Sequence, residues 1–438
     1  MLACPFGNFA ICGAKGIPRE FAQYLLTDLR DHLHSPAFAE LARSPDHPTA
    51  FTRSRKLPLA TLVCALLSFR GGSVQSELDA FLGGLGASAV NLVSDRALAK
   101  ARSKLHVPAL WALNERLVST LQAQGGLQLF KGRRLVCADG TVLAPAQRAC
   151  LRTRSLAAPV QRALGLYLPG NELMLHVSVG PQTEGERQML FDQLDRLRAG
   201  DVLILDRGFP ASWLVQALAQ RGIDWIIRCD SSSGWGAARS FLRSGQSEAW
   251  SWLSASDAQA ASTWGLDGPA CLRTRLVRHV SSNGCIRVLA TSLSEEVATV
   301  AELADLYHGR WRIEEAFKRV KHRLGLESVS GLSQHALLVD VAAKVLADNL
   351  AALLNRAVPM PLAQTGGVQR QVNRAAAAKL LSRCIGSMLL LVGGIAGGVH
   401  DWVTTLSRRW TRHIAGRSRP RNPAHSKPHP SQAYKRAA

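Results

Sequence analysis

Acidic residues are in short supply: 32 Asp and Glu stand against 53 Lys and Arg in 438 residues, a formal charge of +21. So basic a chain does not suit a cationic partner. It points to a polyanion, most simply nucleic acid, with an anionic membrane surface as the alternative. No apolar run reaches the ~20 residues of a spanning helix, so no membrane anchor is expected. The longest, "LPLATLVCALLSF" at 57–69 and "IGSMLLLVGGIAGGV" at 385–399, read as buried helices. The N-terminal "MLACPFGNFAICGAKG" lacks a basic start followed by a long hydrophobic stretch, so no signal peptide is expected. Cys-x-x-Cys pairs are missing too. Nine scattered cysteines argue against structural zinc and for reduced thiols in a cytoplasmic protein. "GGLG" (83–86) and "GGIAGG" (393–398) fit no phosphate-loop pattern, so no nucleotide cofactor is indicated. There are no internal repeats.

What is present falls into four parts. Residues 1–130 carry helix-period apolar positions, as in "PREFAQYLLTDLRDHL" and "VPALWALNERLVSTLQAQ", each opening on a proline suited to a first turn. Arg96, Lys100, Arg102 and Lys104 either face DNA from a helix-turn-helix-like module or are the solvated face of an ordinary helical domain. Residues 131–330 alternate strands and helices, the pattern of an α/β sheet with parallel members. A β-rich insertion is expected at about 231–285, followed by one long helix from about 295 to 325. Residues 331–406 read as C-terminal helices. The segment 407–438 holds nine Lys and Arg, no acid and four prolines, and reads as a disordered electrostatic arm for nucleic acid.

Against this basic background two aspartates share a setting. Asp139 ("LVCADGT") and Asp206 ("VLILDRGF") each follow an apolar strand and precede a glycine. In open α/β sheets functional groups gather beyond the carboxyl ends of strands, although an Asp there can simply cap its own turn. A third acid would complete a set of hard oxygen ligands for two divalent cations. "YHGRWRIEEAFKRVKHR" (307–323) can supply it. With Tyr307 at zero and ~100° per residue, Arg310 falls near ~300°, Glu314 near ~340° and Lys321 near ~320°. All four share one arc beside the apolar stripe of Leu306, Ile313, Phe317, Val320 and Leu324, while Glu315 points away. The wheel therefore selects Glu314. The alternative is a surface pair of Glu314 with Lys318. Trp311 and the insertion's Trp235, Trp250, Trp252 and Trp264 are either core residues or stacking platforms for an unpaired base.

These residues resemble a known family. Tyr307, Arg310, Glu314 and Lys321 match the spacing Tyr-x2-Arg-x3-Glu-x6-Lys of IS-four-type insertion-sequence transposases, which are bacterial DDE enzymes. "ADGT" and "LDRGF" match the contexts of that family's two catalytic aspartates, and the resemblance runs from about 130 to 350. It implies a ribonuclease-H-like α/β core carrying the β insertion, flanked by helical N- and C-terminal regions. It implies Asp139, Asp206 and Glu314 as catalytic ligands of two Mg2+ ions, for which Mn2+ can substitute. Tyr307, Arg310 and Lys321 become DNA-binding residues. The implied partners are the transposon's terminal inverted repeats, target DNA and a second copy of the chain; the implied location is the cytoplasm, with the nucleoid. The implied activity is cut-and-paste transposition by metal-dependent phosphoryl transfer. A non-catalytic DNA-binding regulator, or domesticated relative, and a metal-dependent nuclease are the alternatives.

Overall fold

The computed structural model describes residues 16–413, apart from Ser54, 87–92, 145–159, 231–233, Ala255, Pro269, 281–283, Cys285, Leu332 and 361–368. Most of the basic tail, from 414 on, lies outside the described residues. The chain forms two compact units: Leu127–Val142 with Arg162–Ala316, and Met1–Gly126 with Leu143–Gln161 and Phe317–Ala438.

The first unit is built on a mixed sheet. Its strands are β1 (Leu129–Phe130), β2 (Arg133–Leu143), β3 (Gln161–Leu168), β4 (Leu173–Pro181), β5 (Val202–Leu205), β6 (Asp224–Cys229), β7 (Glu248–Leu253), β8 (Leu272–Val280) and β9 (Ile286–Thr291). They lie in the order β4-β3-β2-β5-β6-β9-β8-β7, with β1 beside β2. The first five strands of that order, with β2–β5 and β5–β6 parallel, form the ribonuclease-H-like core. Expected Val and Ile runs supply it: β5 is buried along its whole length, as a strand flanked by neighbours on both sides requires. A buried pair, Arg134 Nη2 to Asp201 Oδ2 at 2.5 Å, joins β2 to the residue before β5 and helps fix their register.

Three features of this unit differ from the sequence reading. Strand β2 does not stop at Asp139 but runs through Gly140 to Leu143, because β3 pairs along its other edge. The insertion is not purely β: β7, β8 and β9 extend the sheet antiparallel from β6, but helices Gly236–Ser244 and Ala258–Thr263 interrupt them. The expected long helix is broken into Val300–Gly309, Arg312–Lys318 and a π-helical turn, Arg319–Arg323.

One buried side chain makes this unit sensitive to acid. His176 on β4 is 8% exposed, and burial, helped by Arg196, pushes its imidazole down to about 3. The folded protein thus keeps His176 neutral where the unfolded chain, with a value near 6.5, takes up a proton. Stability is lost as pH falls below ~6.5, by ~1.4 kcal/mol per unit until ~3. At pH 5 this amounts to roughly 2 kcal/mol. A His176→Asn variant should show a flatter fall between pH 6.5 and 5 in urea unfolding; an identical fall would remove His176 as the source.

The second unit is helical. The 23-residue helix Gln334–Arg356 lies at its centre, apolar on nearly every side, against helices Leu59–Ser68, Val107–Ala123 and Arg374–Leu390. The first long apolar run is buried here from Leu62 to Phe69, whereas the second buries Ile385, Met388, Leu389, Ile395 and Val399 but exposes Leu391 and Val392 at the turn between two helices. Among the described residues no helix is long and apolar enough to cross a membrane. In the second run one helix ends at Leu390, and Gly393, with a φ of +73°, caps the start of the next, Gly394–Leu406. The boundaries expected at 130 and 331 separate helices that the structure gathers into one unit. Trp410–His413 (β11), placed in the disordered arm by composition, pairs with Gln369–Val372 (β10).

Polar residues tie this unit's loops to the central helix. Asp340, Lys344 and Asp348 lie four apart, hence on one face. Asp340 accepts from the Ser330 N–H and hydroxyl, Lys344 donates to the carbonyls of Leu324 and Phe69, and Asp348 pairs with Arg319 at 2.9 Å. Arg102, one of the residues proposed to face DNA, is instead 6% exposed and donates to Ser330. Arg96 and Lys100 are exposed. Directly after the π turn, Gly325 has φ +64°, and a Cβ there would collide with the Arg70 carbonyl. Left-handed backbone costs an L-residue ~1–2 kcal/mol, and overpacking adds ~1–3. Gly325→Ala should therefore lose roughly 2–5 kcal/mol in chemical denaturation; an unchanged midpoint would refute this packing.

Candidate active site

The β2–β5 register, Leu135 opposite Val202 and Cys137 opposite Ile204, continues to set Asp139 beside Asp206. Helix Val300–Gly309 brings the third element. Its start is a reciprocal cap: the Thr299 hydroxyl accepts the Glu302 N–H, while the Glu302 carboxylate accepts the Thr299 N–H. Leu303 and Tyr307 on its inner face pack with Cys137, Val202, Ile204, Ile226, Val277 and Leu289.

At the carboxyl end the helix tightens. Ile313 and Glu314 donate to the carbonyls three residues back, Arg310 at 3.1 Å and Trp311 at 3.2 Å. The break costs little angular drift, so Tyr307, Arg310 and Glu314 stay on one side as the wheel predicted. The Tyr307 hydroxyl donates to Asp206 Oδ1 at 2.9 Å. Arg310 Nη1 donates to Asp139 Oδ2 at 2.8 Å, and its Nη2 donates to Glu314 Oε1 at 3.3 Å and lies 3.7 Å from Asp206 Oδ2. The structure thus gathers five of the six expected residues around one guanidinium.

The sixth, Lys321, belongs to the helical unit. There its Nζ lies 3.7 Å from Glu327, and burial, opposed by Glu327, lowers its amine. It sits in the π turn, where Leu324 N–H reaches back five residues to the Arg319 carbonyl. The 100° step no longer applies across such a turn.

Charge is unevenly shared in the site. Burial pushes the Asp139 carboxyl up to about 6, although Arg310 and the Gly140 N–H oppose it. For Asp206 burial acts the same way but is outweighed by the Arg207 N–H, Arg310, Tyr307 and Arg228, which hold it below the usual value. Burial and the Asp206 charge raise the Tyr307 phenol to about 12, so it stays a donor. Burial opposes the charge on Arg310, but Asp139, Tyr307 and Asp206 together keep it firmly cationic.

Two residues escaped the sequence reading. Arg228 Nη1 lies 3.9 Å from Asp206 Oδ1. Its signal was a charge inside the apolar strand "DWIIRC", one step beyond the Leu205–Ile227 pairing. The Glu186 carboxylate lies against Gly140, where a Cβ would meet it, and near Gly208. No sequence pattern announces this contact. Of the tryptophans, Trp235 is buried and Trp264 stacks on Trp213 at 4.0 Å, so both are packing residues. Trp250, Trp252 and Trp311 are exposed, and the Arg273 guanidinium lies 4.5 Å over the Trp250 ring.

Residues 132–350, which include all six of these positions, match the family model for the transposase DDE domain. The chain belongs to the DDE transposase family. No curated protein matches this transposase chain. Among solved structures it is similar to a piggyBac transposase synaptic complex with hairpin DNA, at 12% identity and a TM-score of 0.41 over 92% of this chain and 87% of that one.

Among the described residues, no three His, Cys, Asp or Glu side chains stand close enough together to hold a metal as they are. The transposase's three carboxylates converge on Arg310 instead. Their chemistry nonetheless fits a hard divalent cation: all three offer carboxylate oxygens, and all three already lie within 3.7 Å of one positive group.

Proposed function

We propose that this transposase is of the IS-four type and cleaves and joins insertion-sequence ends by metal-dependent phosphoryl transfer. The observation that carries the reading is the convergence of Asp139, Asp206 and Glu314 on one cation inside a DDE domain. The spacing of Tyr307, Arg310, Glu314 and Lys321 supports the narrower assignment.

Asp139, Asp206 and Glu314 would hold the metal, Mg2+ in the cell with Mn2+ as substitute, and two ions suit the family's in-line displacement. When bound, such ions polarise the attacking and departing oxygens. The chain's own residues bind and orient. Arg310, fixed as a cation, and Arg228 supply guanidinium forks for phosphate oxygens. Tyr307, held protonated, keeps Asp206 Oδ1 in place by donating to it. Lys321 adds a point charge for the DNA backbone. No protein nucleophile is required for such transfer. Cys137, two residues before Asp139, is unsuited to that role because burial raises its thiol. Both transposon ends must be brought together, which calls for two copies of the chain, and excision through a hairpin end is the family's route.

The test is incubation of the full chain with duplexes carrying the element's inverted-repeat ends, with Mg2+ or Mn2+ against chelator. Cut ends with 3′-hydroxyls and strands joined to target DNA are expected. Cleavage without joining would make the protein a nuclease; binding with neither would make it a regulator.

A further inference from the structure

Arg310 does more than neighbour the carboxylates. Each aspartate turns its other oxygen elsewhere: Asp139 Oδ1 accepts the Gly140 N–H and Asp206 Oδ1 accepts the Tyr307 hydroxyl. The oxygens left pointing inward, Asp139 Oδ2 and Asp206 Oδ2, are the ones facing Arg310, together with Glu314 Oε1. A divalent ion held by these three residues needs the same oxygens. It would also lie against a guanidinium whose side chain is only 9% exposed, where repulsion between like charges is poorly screened. Arg310 is moreover imperfectly satisfied, since its Nε is buried without an acceptor among the described residues.

We infer that Arg310 is a built-in counter-ion that competes with the divalent metal for Asp139, Asp206 and Glu314, and that a DNA phosphate relieves the competition by drawing the guanidinium onto itself. A phosphate offers the fork-shaped acceptor that a guanidinium prefers, and Nε gains a partner in the exchange. DNA and metal therefore bind cooperatively: each removes the obstacle to the other. The charge on Arg310 serves the carboxylates before DNA arrives and the phosphate afterwards. This inference rests on the proposed reading of the three carboxylates as metal ligands.

Mn2+ binding to the full chain, followed by the electron paramagnetic resonance of the free ion, tests it without any turnover. Coupling between sites commonly amounts to about 5–150-fold in affinity. Arg310→Gln should tighten Mn2+ binding by a factor in that range. A short blunt-ended duplex should tighten binding to the native chain similarly, and should leave Arg310→Gln unchanged. Equal Mn2+ affinity in the native chain and Arg310→Gln, with Asp139→Ala weakening both, would overturn the competition and leave the ligand reading intact. Mn2+ affinity indifferent to Asp139→Ala, Asp206→Ala and Glu314→Ala would instead sink the ligand reading. Should Arg310→Gln fail to fold, Arg310→Met decides: it removes both the fork and the charge, so its Mn2+ affinity must also rise, and an unchanged value overturns the inference.

Discussion

Asp139→Ala, Asp206→Ala and Glu314→Ala should each reduce metal-dependent end cleavage by about a hundred- to a thousandfold, the scale on which single preorganised electrostatic groups act in catalysis. Duplex binding should persist, because the affinity of a protein for DNA comes chiefly from its basic residues and each variant removes a negative charge. Glu315→Ala serves as the internal control. Glu315 sits one residue beyond Glu314 on the same short helix, but it is Glu314 that Arg310 reaches. It should cut at the native rate. A gel assay of cut product against bound complex reads both quantities, and full cleavage by any of the three would remove that residue from the site. Inactive Glu315→Ala beside active Glu314→Ala would reverse the choice between the two glutamates.

The largest expected loss of stability lies in the helical unit. Arg319 and Asp348 are 9% and 12% exposed and pair at 2.9 Å, with a second guanidinium nitrogen, Nε, at 3.1 Å. Removing one partner of a buried pair strands the other charge, at a cost of about 3–5 kcal/mol. Asp348→Ala should lower the urea midpoint accordingly. Replacing both, as Arg319→Met with Asp348→Leu, should recover most of the loss, because two apolar side chains leave no charge to desolvate. A double variant as unstable as the single one would show that the pair acts through packing and not through charge.

Much of the catalytic unit was legible because its signals are local. The apolar stretches that lead into Asp139 and Asp206 need only a window of a few residues to be seen. Glu314 was legible because the tightened turn at Arg310–Trp311 changes which carbonyls accept without turning the helix far. Lys321 lies beyond that reach, inside a turn with a different period. Arg228 was hidden because its meaning depends on the strand beside it, and pairing between strands leaves no mark in either. The same holds for the helical unit. Asp340, Lys344 and Asp348 look like a solvated stripe until the loops that they hold are known, and Arg102 looks like a DNA contact until Ser330 is placed against it. That helices before 126 and after 317 share one core is a long-range fact with no local trace.

The divided helical unit also orders events during synthesis. Helix Val107–Ala123 packs against Gln334–Arg356, and 210 residues, 124–333, separate the end of one from the start of the other. At ~5–20 residues per second a ribosome needs roughly 10–40 s to cover that distance. Throughout this interval the apolar faces of the first six helices have emerged without their central partner. The helical unit therefore waits longer for its central helix than the sheet waits for its last strand, since the sheet's strands are complete by Thr291.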